Sequence, residues 1–450
     1  MKAYLTACVT DHAVKGRWRM FPLLLLMTAL CVGGAAAATT ERVNVDSEGN
    51  EADSSSEGSG EPALSFYSHA DNLVADDTND DVDIFVHDRL SGQTTRVSVA
   101  SDGAEANDDS FEPAISADGT HVAFYSFASN LVLDDTNGMS DIFVHDRYTG
   151  VTTRVSLASD GSEATGYSYG PVISAGGEIV AFESRADNLV SDDDNGLDDV
   201  FVHDCGSGVT TRVSVASDGT EASGSSGDPS ISCAVNSVAF SSGADNLVPN
   251  DTNGVSDVFV RDRASGSTYR VSLAPDANEA NGNSYYSAIA GNGRYVAFQS
   301  YADNLVAGDT NGRPDIFVHD RDTGETTRAN VDSDGNESSG SGSDPAISAD
   351  GNYVVFRSSA DDLVSDDTNQ DVDIFVRGPL VETGILTVEI NIAWQRDPNQ
   401  LNPEAGMLQV AIVTTATFDA AEVEPTSVLF GPSQAAPVRS RMRDFDGDLD

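Results

Sequence analysis

Asp141-Ile-Phe-Val-His-Asp146 is one of six near-copies in this chain. The pattern Asp-(Ile/Val)-Phe-Val begins at Asp83, Asp141, Asp199, Asp257, Asp315 and Asp373, and every step is 58 residues. A fixed period of this length marks a repeat architecture whose units are single supersecondary modules. Upstream of each copy, an alternating segment recurs around Phe66, Phe124, Phe182, Phe240, Phe298 and Phe356. Downstream, an arginine leads a short β-branched run at Arg42, Arg96, Arg154, Arg212, Arg270 and Arg328. A proline-led start precedes most units, at Pro62, Pro113, Pro171, Pro229 and Pro345, with Ser287 in its place once.

Each unit therefore holds four strand candidates. In the unit after Pro113 they are Ala114–Ser116, His121–Ser126, Asp141–Asp146 and Thr152–Leu157. They alternate, favour Val, Ile, Phe and Thr, and are separated by Gly, Asn and Asp, while no window carries a capped helical period. Four sequential antiparallel strands per repeat describe a propeller blade, so the fold class is all-β, a six-bladed β-propeller. The last unit stops after Arg377 without a fourth strand, and Thr40–Asp46 supplies a strand with no blade before it. Pairing the two closes the ring and removes its open edges. From Arg42 to Phe66 is 24 residues against 28 from Arg96 to Phe124, which predicts a clipped inner hairpin in the first blade.

The order P-x-I-S-x-D-G, V-A-F-x-S, D-I-F-V-x-D in Pro113–Gly119, Val122–Ser126 and Asp141–Asp146 resembles the repeats of the TolB-type propeller family. The resemblance covers about residues 40–379 and implies the propeller fold. Propellers host many activities, so it implies no particular chemistry.

The ends differ from this body. Residues 1–38 read as a signal peptide: Lys15, Arg17 and Arg19 precede an apolar run from Phe21 to Val32, and Ala35–Ala38 offer a small-residue cleavage site. The mature chain is then expected in the periplasm, at the cell surface or secreted. Residues 39–379 form the propeller. Residues 380–450 read as a small β module, with strands at 386–394, 409–414 and 427–430, similar to modules at the ends of secreted bacterial proteins. Its Asp444, Asp446, Asp448 and Asp450 have the alternating spacing of a calcium loop, yet the chain stops there, so the module reads as incomplete.

The formal charge is −49, from 24 basic and 73 acidic residues. Removing the leader, which carries four basic residues against one acidic, deepens it further. Such a surface repels nucleic acid and anionic lipid heads, and no later segment has the apolar length of a membrane helix, so neither nucleic-acid binding nor membrane insertion is expected. Beyond the leader Asp outnumbers Glu 53 to 19, an excess that points to short side chains working in loops.

Those loops lie together. Connections between second and third strands, and between successive blades, are long and emerge on one face; the opposite face has only turns such as 147–150. Within the first long loop Asp-x-Asn-x-x-x-Asp occurs six times, as Asp77/Asn79/Asp83, Asp135/Asn137/Asp141, Asp193/Asn195/Asp199, Asp251/Asn253/Asp257, Asp309/Asn311/Asp315 and Asp367/Asn369/Asp373. Oxygens at alternate positions around a tight turn suit calcium, with other ligands completing the shell. The same residues also make a good turn, with Asp and Asn capping backbone donors.

Other residues invite chemistry less. His87, His145, His203 and His319 obey the repeat, with Arg261 and Arg377 in their place in two blades, and read as blade-surface residues. The arginine series reads as solvent-side pairing with acidic neighbours. Gly166-Tyr-Ser-Tyr-Gly170 matches a nucleophile pattern but lacks the strand–turn–helix context it needs. Cys205 and Cys233 each break the repeat on the short-turn face of adjacent blades, which predicts a disulfide. The functional expectation is a calcium-stabilised exported scaffold, not an enzyme, binding a protein, peptide or polysaccharide through its acidic long-loop face. The alternative is a metal-dependent propeller hydrolase or lactonase.

Overall fold

A computed structural model describes residues 43–380, apart from 55, 60–62, 234, 366, 369 and 370. The leader and the C-terminal segment 381–450, including Asp444, Asp446, Asp448 and Asp450, lie outside the described residues.

Six antiparallel sheets follow one another along the chain, and no helix occurs among the described residues. Five sheets have four strands in sequential order, and the sixth has three among the described residues. In the second blade the strands are Ser110–Ile115, His121–Ser126, Asp141–Asp146 and Val151–Arg154. The two central strands fall where the alternation puts them. The innermost begins four residues before the expected start, because a bulge lets it run through Pro113: pairing shifts between Phe111 and Ala114. Proline has no N–H to give a ladder, so a bulge is where a strand accommodates it.

In the first blade the inner pair, Ser56–Ser59 with Ala63–Ser68, keeps an unbroken register from Ser56↔Ser68 to Ser59↔Ser65. The clipped hairpin expected there is present, without the bulge of its siblings.

The alternation of each strand builds the core. Stacked phenylalanines from the second and third strands, such as Phe124 with Phe143 and Phe182 with Phe201, sit 5.9 and 6.0 Å apart by ring centroid in the middle of each blade. Neighbouring blades share these cores: Ala123, Ile142 and Val144 of the second pack with Val180, Phe182 and Phe201 of the third. Linkers approach the next blade closely. A Cβ on Gly166 would lie 2.7 Å from the carbonyl carbon of Arg185, so only glycine fits there.

Residues from five blades line one common space, which arranges the sheets about a central channel. Of the expected closing strand Thr40–Asp46, residues 40–42 lie outside the described residues, and 43–46 behave as the other linkers do: Val45 bridges Glu51 as Val99 bridges Glu105, and Thr94 Oγ1 donates to the Val45 carbonyl.

Two surface assignments need correction. His145 and its siblings are buried, 5–7% exposed, with Nδ1 2.9 Å from a threonine Oγ1 on the outer strand. The Thr152 hydroxyl spends its single proton on the Val99 carbonyl, so His145 Nδ1 must donate to it. The histidines thus tie the outer strand and the preceding linker together, and Arg261 does the same through Thr268 Oγ1 and the Ala216 carbonyl. Desolvation pushes His145 and His203 below the usual histidine range and His319 to about 4, so they remain neutral. The arginine series is also buried, as the loop geometry below makes plain.

Candidate functional site

The Asp-x-Asn loops fold around arginine. In the fourth blade Arg270 Nη1 lies 3.0 Å from Asp251 and 3.1 Å from Asp257, and its Nη2 lies 2.6 Å from Glu279. The Arg270 side chain is 7% exposed and those of the two aspartates 3% and 1%. The same set recurs with Arg96, Arg154, Arg212 and Arg328. These arginines are not solvent-side partners. Each sits between the loop and the next linker, inside a ring of three carboxylates.

The asparagine of each trio does different work from the expected ligand role. Asn253 Oδ1 accepts from Val255 N at 3.1 Å, while its amide donates to Asp257 Oδ2 at 2.8 Å and to the Ala280 carbonyl at 3.0 Å. Its siblings repeat the arrangement. The side-chain oxygens of Asn79, Asn137, Asn195 and Asn311 accept from the backbone N–H groups of Asp81, Met139, Leu197 and Arg313. Their amides donate to Asp83, Asp141, Asp199 and Asp315, and to the linker carbonyls of Ala106, Ala164, Ala222 and Ser338. The oxygen that Asn79, Asn137, Asn195, Asn253 and Asn311 were expected to offer calcium caps its own turn with one lone pair, and the N–H₂ group, a donor only, is what faces the carboxylates. These residues close the turn and fasten it to the linker.

The third carboxylate of each cluster is instead a linker glutamate, one of Glu105, Glu163, Glu221, Glu279 and Glu337, which sequence reasoning passed over. Its signal was available: it obeys the 58-residue step and follows each Ser-Asp-Gly-like turn. Thr252 N and Oγ1 both donate to Glu279, joining loop to linker.

One guanidinium against two buried carboxylates and one partly exposed leaves each cluster short of positive charge. Desolvation, with the neighbouring aspartate next, pushes Asp77 and Asp135 to about 6, and Asp193 and Asp309 to about 7. Asp251 also reaches about 6 by desolvation, against the pull of Arg270. Burial opposes a downward shift at Glu337, but hydrogen bonds from Thr310 and the Arg328 guanidinium hold it at about 2. Ligand oxygens of Asp193, Asp199 and Glu221 lie within 4.8 Å of one another, as do those of Asp309, Asp315 and Glu337, so both groups can hold a metal ion. Asp309 Oδ2 is buried and has no hydrogen-bond partner. In the sixth blade Asp367 and Asp373 are described, while Asn369 and the corresponding Arg42 are not.

Where the clusters obey the repeat, the channel breaks it. The bulge residue of each inner strand has a left-handed backbone and faces a space of about 340 Å³: Glu112 (φ 49°), Gly170 (60°), Asp228 (51°), Tyr286 (53°) and Asp344 (50°). Non-glycine residues held there carry strain, a feature concentrated at binding sites. Gly170 N donates to Glu112 Oε2 at 3.2 Å, and Ser241 Oγ donates to Asp228 Oδ2 at 2.8 Å. Glu183 enters the same space from the second strand of its blade, and a Cβ on Gly170 would lie 2.8 Å from its Oε1. Desolvation, then the charges of Asp228, Asp198 and Glu112, push Glu183 up to about 8, so it keeps its proton at neutral pH. Beside it a second cleft, of about 260 Å³, opens between blades two and three.

The remaining sequence candidates are settled by position. Ser168 of the nucleophile-like pattern is fully buried and bonds Ser184 Oγ at 2.9 Å, so it is a strand residue. The expected disulfide is not formed: Cys205 and Cys233 are both free. Cys205 N donates to Glu178 O within its own blade, whereas Cys233 N donates to Gly291 O of the fifth blade and its Sγ lies against Gly291. The two cysteines therefore make different blade contacts. Mass spectrometry after alkylation without reductant is expected to show two modified cysteines; a linked peptide pair would contradict this placement.

No protein-family model matches the chain, and no curated protein matches it. Among solved structures it is similar to TolB from Acinetobacter baumannii, at 17% identity and a TM-score of 0.38 over 63% of this chain. The match spans 58% of that protein's length. A putative TolB from Agrobacterium tumefaciens is 16% identical, TM-score 0.40, covering 64% of this chain and 80% of the other. An oligogalacturonate lyase in complex with manganese is 14% identical, TM-score 0.41, covering 66% and 70%. The six-bladed architecture stands on the chain's own sheets.

Proposed function

We propose that this chain is an exported binding scaffold that takes its ligand at the long-loop end of the channel. One observation carries the reading. Departures from an otherwise strict repeat gather there, as Glu112, Asp228, Tyr286, Asp344 and Glu183, whereas the arginine clusters repeat from blade to blade. A repeat kept for folding has no reason to vary its channel residues, but an asymmetric ligand does.

The acidic clusters then act in stability, and calcium or another divalent cation bound among Asp, Asp and Glu would supply the positive charge that one arginine leaves lacking. The loop-borne aspartates proposed from the sequence keep that role, with the linker glutamate in place of the asparagine.

The binding role is tested on glycan and peptide arrays probed with the exported protein. Binding is expected to survive Tyr148→Ala, at a 92% exposed position on the short-turn face, and to fall in Tyr286→Ala. Equal loss in both, or none in either, would remove the reading. The hydrolase or lactonase alternative has one supporting observation, the proton Glu183 holds near neutral pH. Turnover of esters or lactones that Glu183→Gln abolishes would establish it instead.

A further inference from the structure

The cleft between blades two and three gathers four aromatic side chains at one seam. Its walls are Tyr125, Phe127, Tyr167 and Tyr169, with Arg185 and Asp198 at its polar side. Phe127 and Tyr167 are 41% and 47% exposed, in a chain with only 7% aromatic residues. Where Phe127 stands the repeat has Gly243 and Ser359 as well as Tyr301, and where Tyr167 stands it has Asp109, Ser225, Asn283 and Ser341, never another ring. The fold therefore does not require a ring at either point, and blades two and three bring two of them to one cleft.

The geometry points to a site for a neutral oligosaccharide in this cleft. Three features of the lining select that chemistry. Rings in differing orientations, with Tyr125 and Phe127 at 6.1 Å and 80°, offer faces to the C–H surfaces of sugar rings. Donors and acceptors stand beside them. Tyr169 OH already donates to Asp198 Oδ1 at 2.7 Å, which leaves the other carboxylate oxygen to accept from a ligand hydroxyl. The Arg185 guanidinium makes no hydrogen bond or ion pair among the described residues, despite a chain charge of −49.

Charge narrows the class further. The surrounding field repels polyanions, including polyuronates. A cationic peptide group would meet Arg185 at the mouth. Mixed charge beside aromatic faces suits a ligand that is polar, uncharged and rich in hydroxyls. Glu183 is the cross-strand partner of Tyr169, so the cleft adjoins the channel, and an extended chain can pass from one to the other.

This inference rests on the binding role proposed above and is tested separately from it. Neutral hexasaccharides (cellohexaose, maltohexaose and chitohexaose) are titrated into the exported protein by calorimetry, with hexagalacturonate as the charged arm. At least one neutral chain is expected to bind saturably, and hexagalacturonate to bind none. Phe127→Ala and Tyr167→Ala are each expected to weaken binding about tenfold. Both positions are half-exposed, and unchanged melting temperatures show that the variants fold. Tyr301→Ala, at the position of the fifth blade equivalent to Phe127 and 57% exposed, leaves affinity unchanged. No binding by any neutral chain, binding that survives both variants, or preference for hexagalacturonate would overturn the inference. Peptide binding lost in Tyr286→Ala, without glycan binding, would do so too while leaving the scaffold role in place.

Discussion

Arg212→Ala lowers the unfolding free energy by about 3–5 kcal/mol, because it leaves the buried Asp193 and Asp199, with the partly exposed Glu221 beside them, without their cation. The arginine side chain is 3% exposed. Urea unfolding at pH 7.5 measures the loss. The same change at Arg357, which pairs with Asp344 at an open position where the two side chains are 57% and 47% exposed, costs under about 1 kcal/mol. The contrast separates a structural pin from a surface pair. If a divalent cation binds among these oxygens, calcium restores part of the loss in Arg212→Ala by occupying the vacated charge. Equal costs for the two variants would show that the clusters do not hold the blades.

Acidification from pH 8 to about pH 5 raises the melting temperature by roughly 5–10 °C. The aspartates set the sign. Asp77, Asp135, Asp193, Asp251 and Asp309 take up a proton at about pH 6–7 when folded, against an ordinary value of 3.8. Between those limits the folded chain binds more protons than the unfolded one, so stability grows as pH falls through 7 and is fully gained near 4. The gain is opposed below about pH 6.5, where the unfolded chain protonates histidines that His145, His203 and His319 keep neutral in the folded one, and at the acid end, where Glu337, held at about 2, loses its pairing advantage as pH drops below the ordinary glutamate value. The optimum therefore falls near pH 5. Under the proposed cation role, calcium would compete with these protons for the same oxygens, and is expected to stabilise at pH 7.5 beyond sodium chloride of equal ionic strength and much less at pH 5. Scanning calorimetry across that grid checks both. A melting temperature that falls on acidification from pH 8, or a calcium effect independent of pH, would refute the charge-deficit account.

The linear chain was enough for the architecture. Asp141–Asp146 and its siblings carry an apolar Ile/Val-Phe-Val run that is buried on both faces in five of the six blades; a constant step then leaves one unit, repeated. The central strands His121–Ser126 and Asp141–Asp146 were legible to the residue, since runs rich in Val, Ile and Phe are bounded there by Gly, Asn and Asp. The shortened first hairpin was legible too, from a count of residues. Partners distant along the chain were not. Arg154 lies 13 residues from Asp141, and nothing in its neighbourhood says that its side chain turns inward to three carboxylates. Asn137 has the spacing of a ligand, but whether its oxygen or its amide meets Asp141 depends on the turn it caps and the linker that crosses it. His145 looked exposed because histidine beside aspartate is an ordinary surface pair, whereas the next strand covers it with Thr152. The cysteines share a face but Cys205 bonds its own blade and Cys233 the next, which only the packing of each turn against its neighbour decides. The channel ring was hidden for the same reason. Glu112, Asp228 and Glu183 are ordinary polar positions in a linear chain, and closure of the blades about one axis is what brings them together around one space and within reach of one ligand.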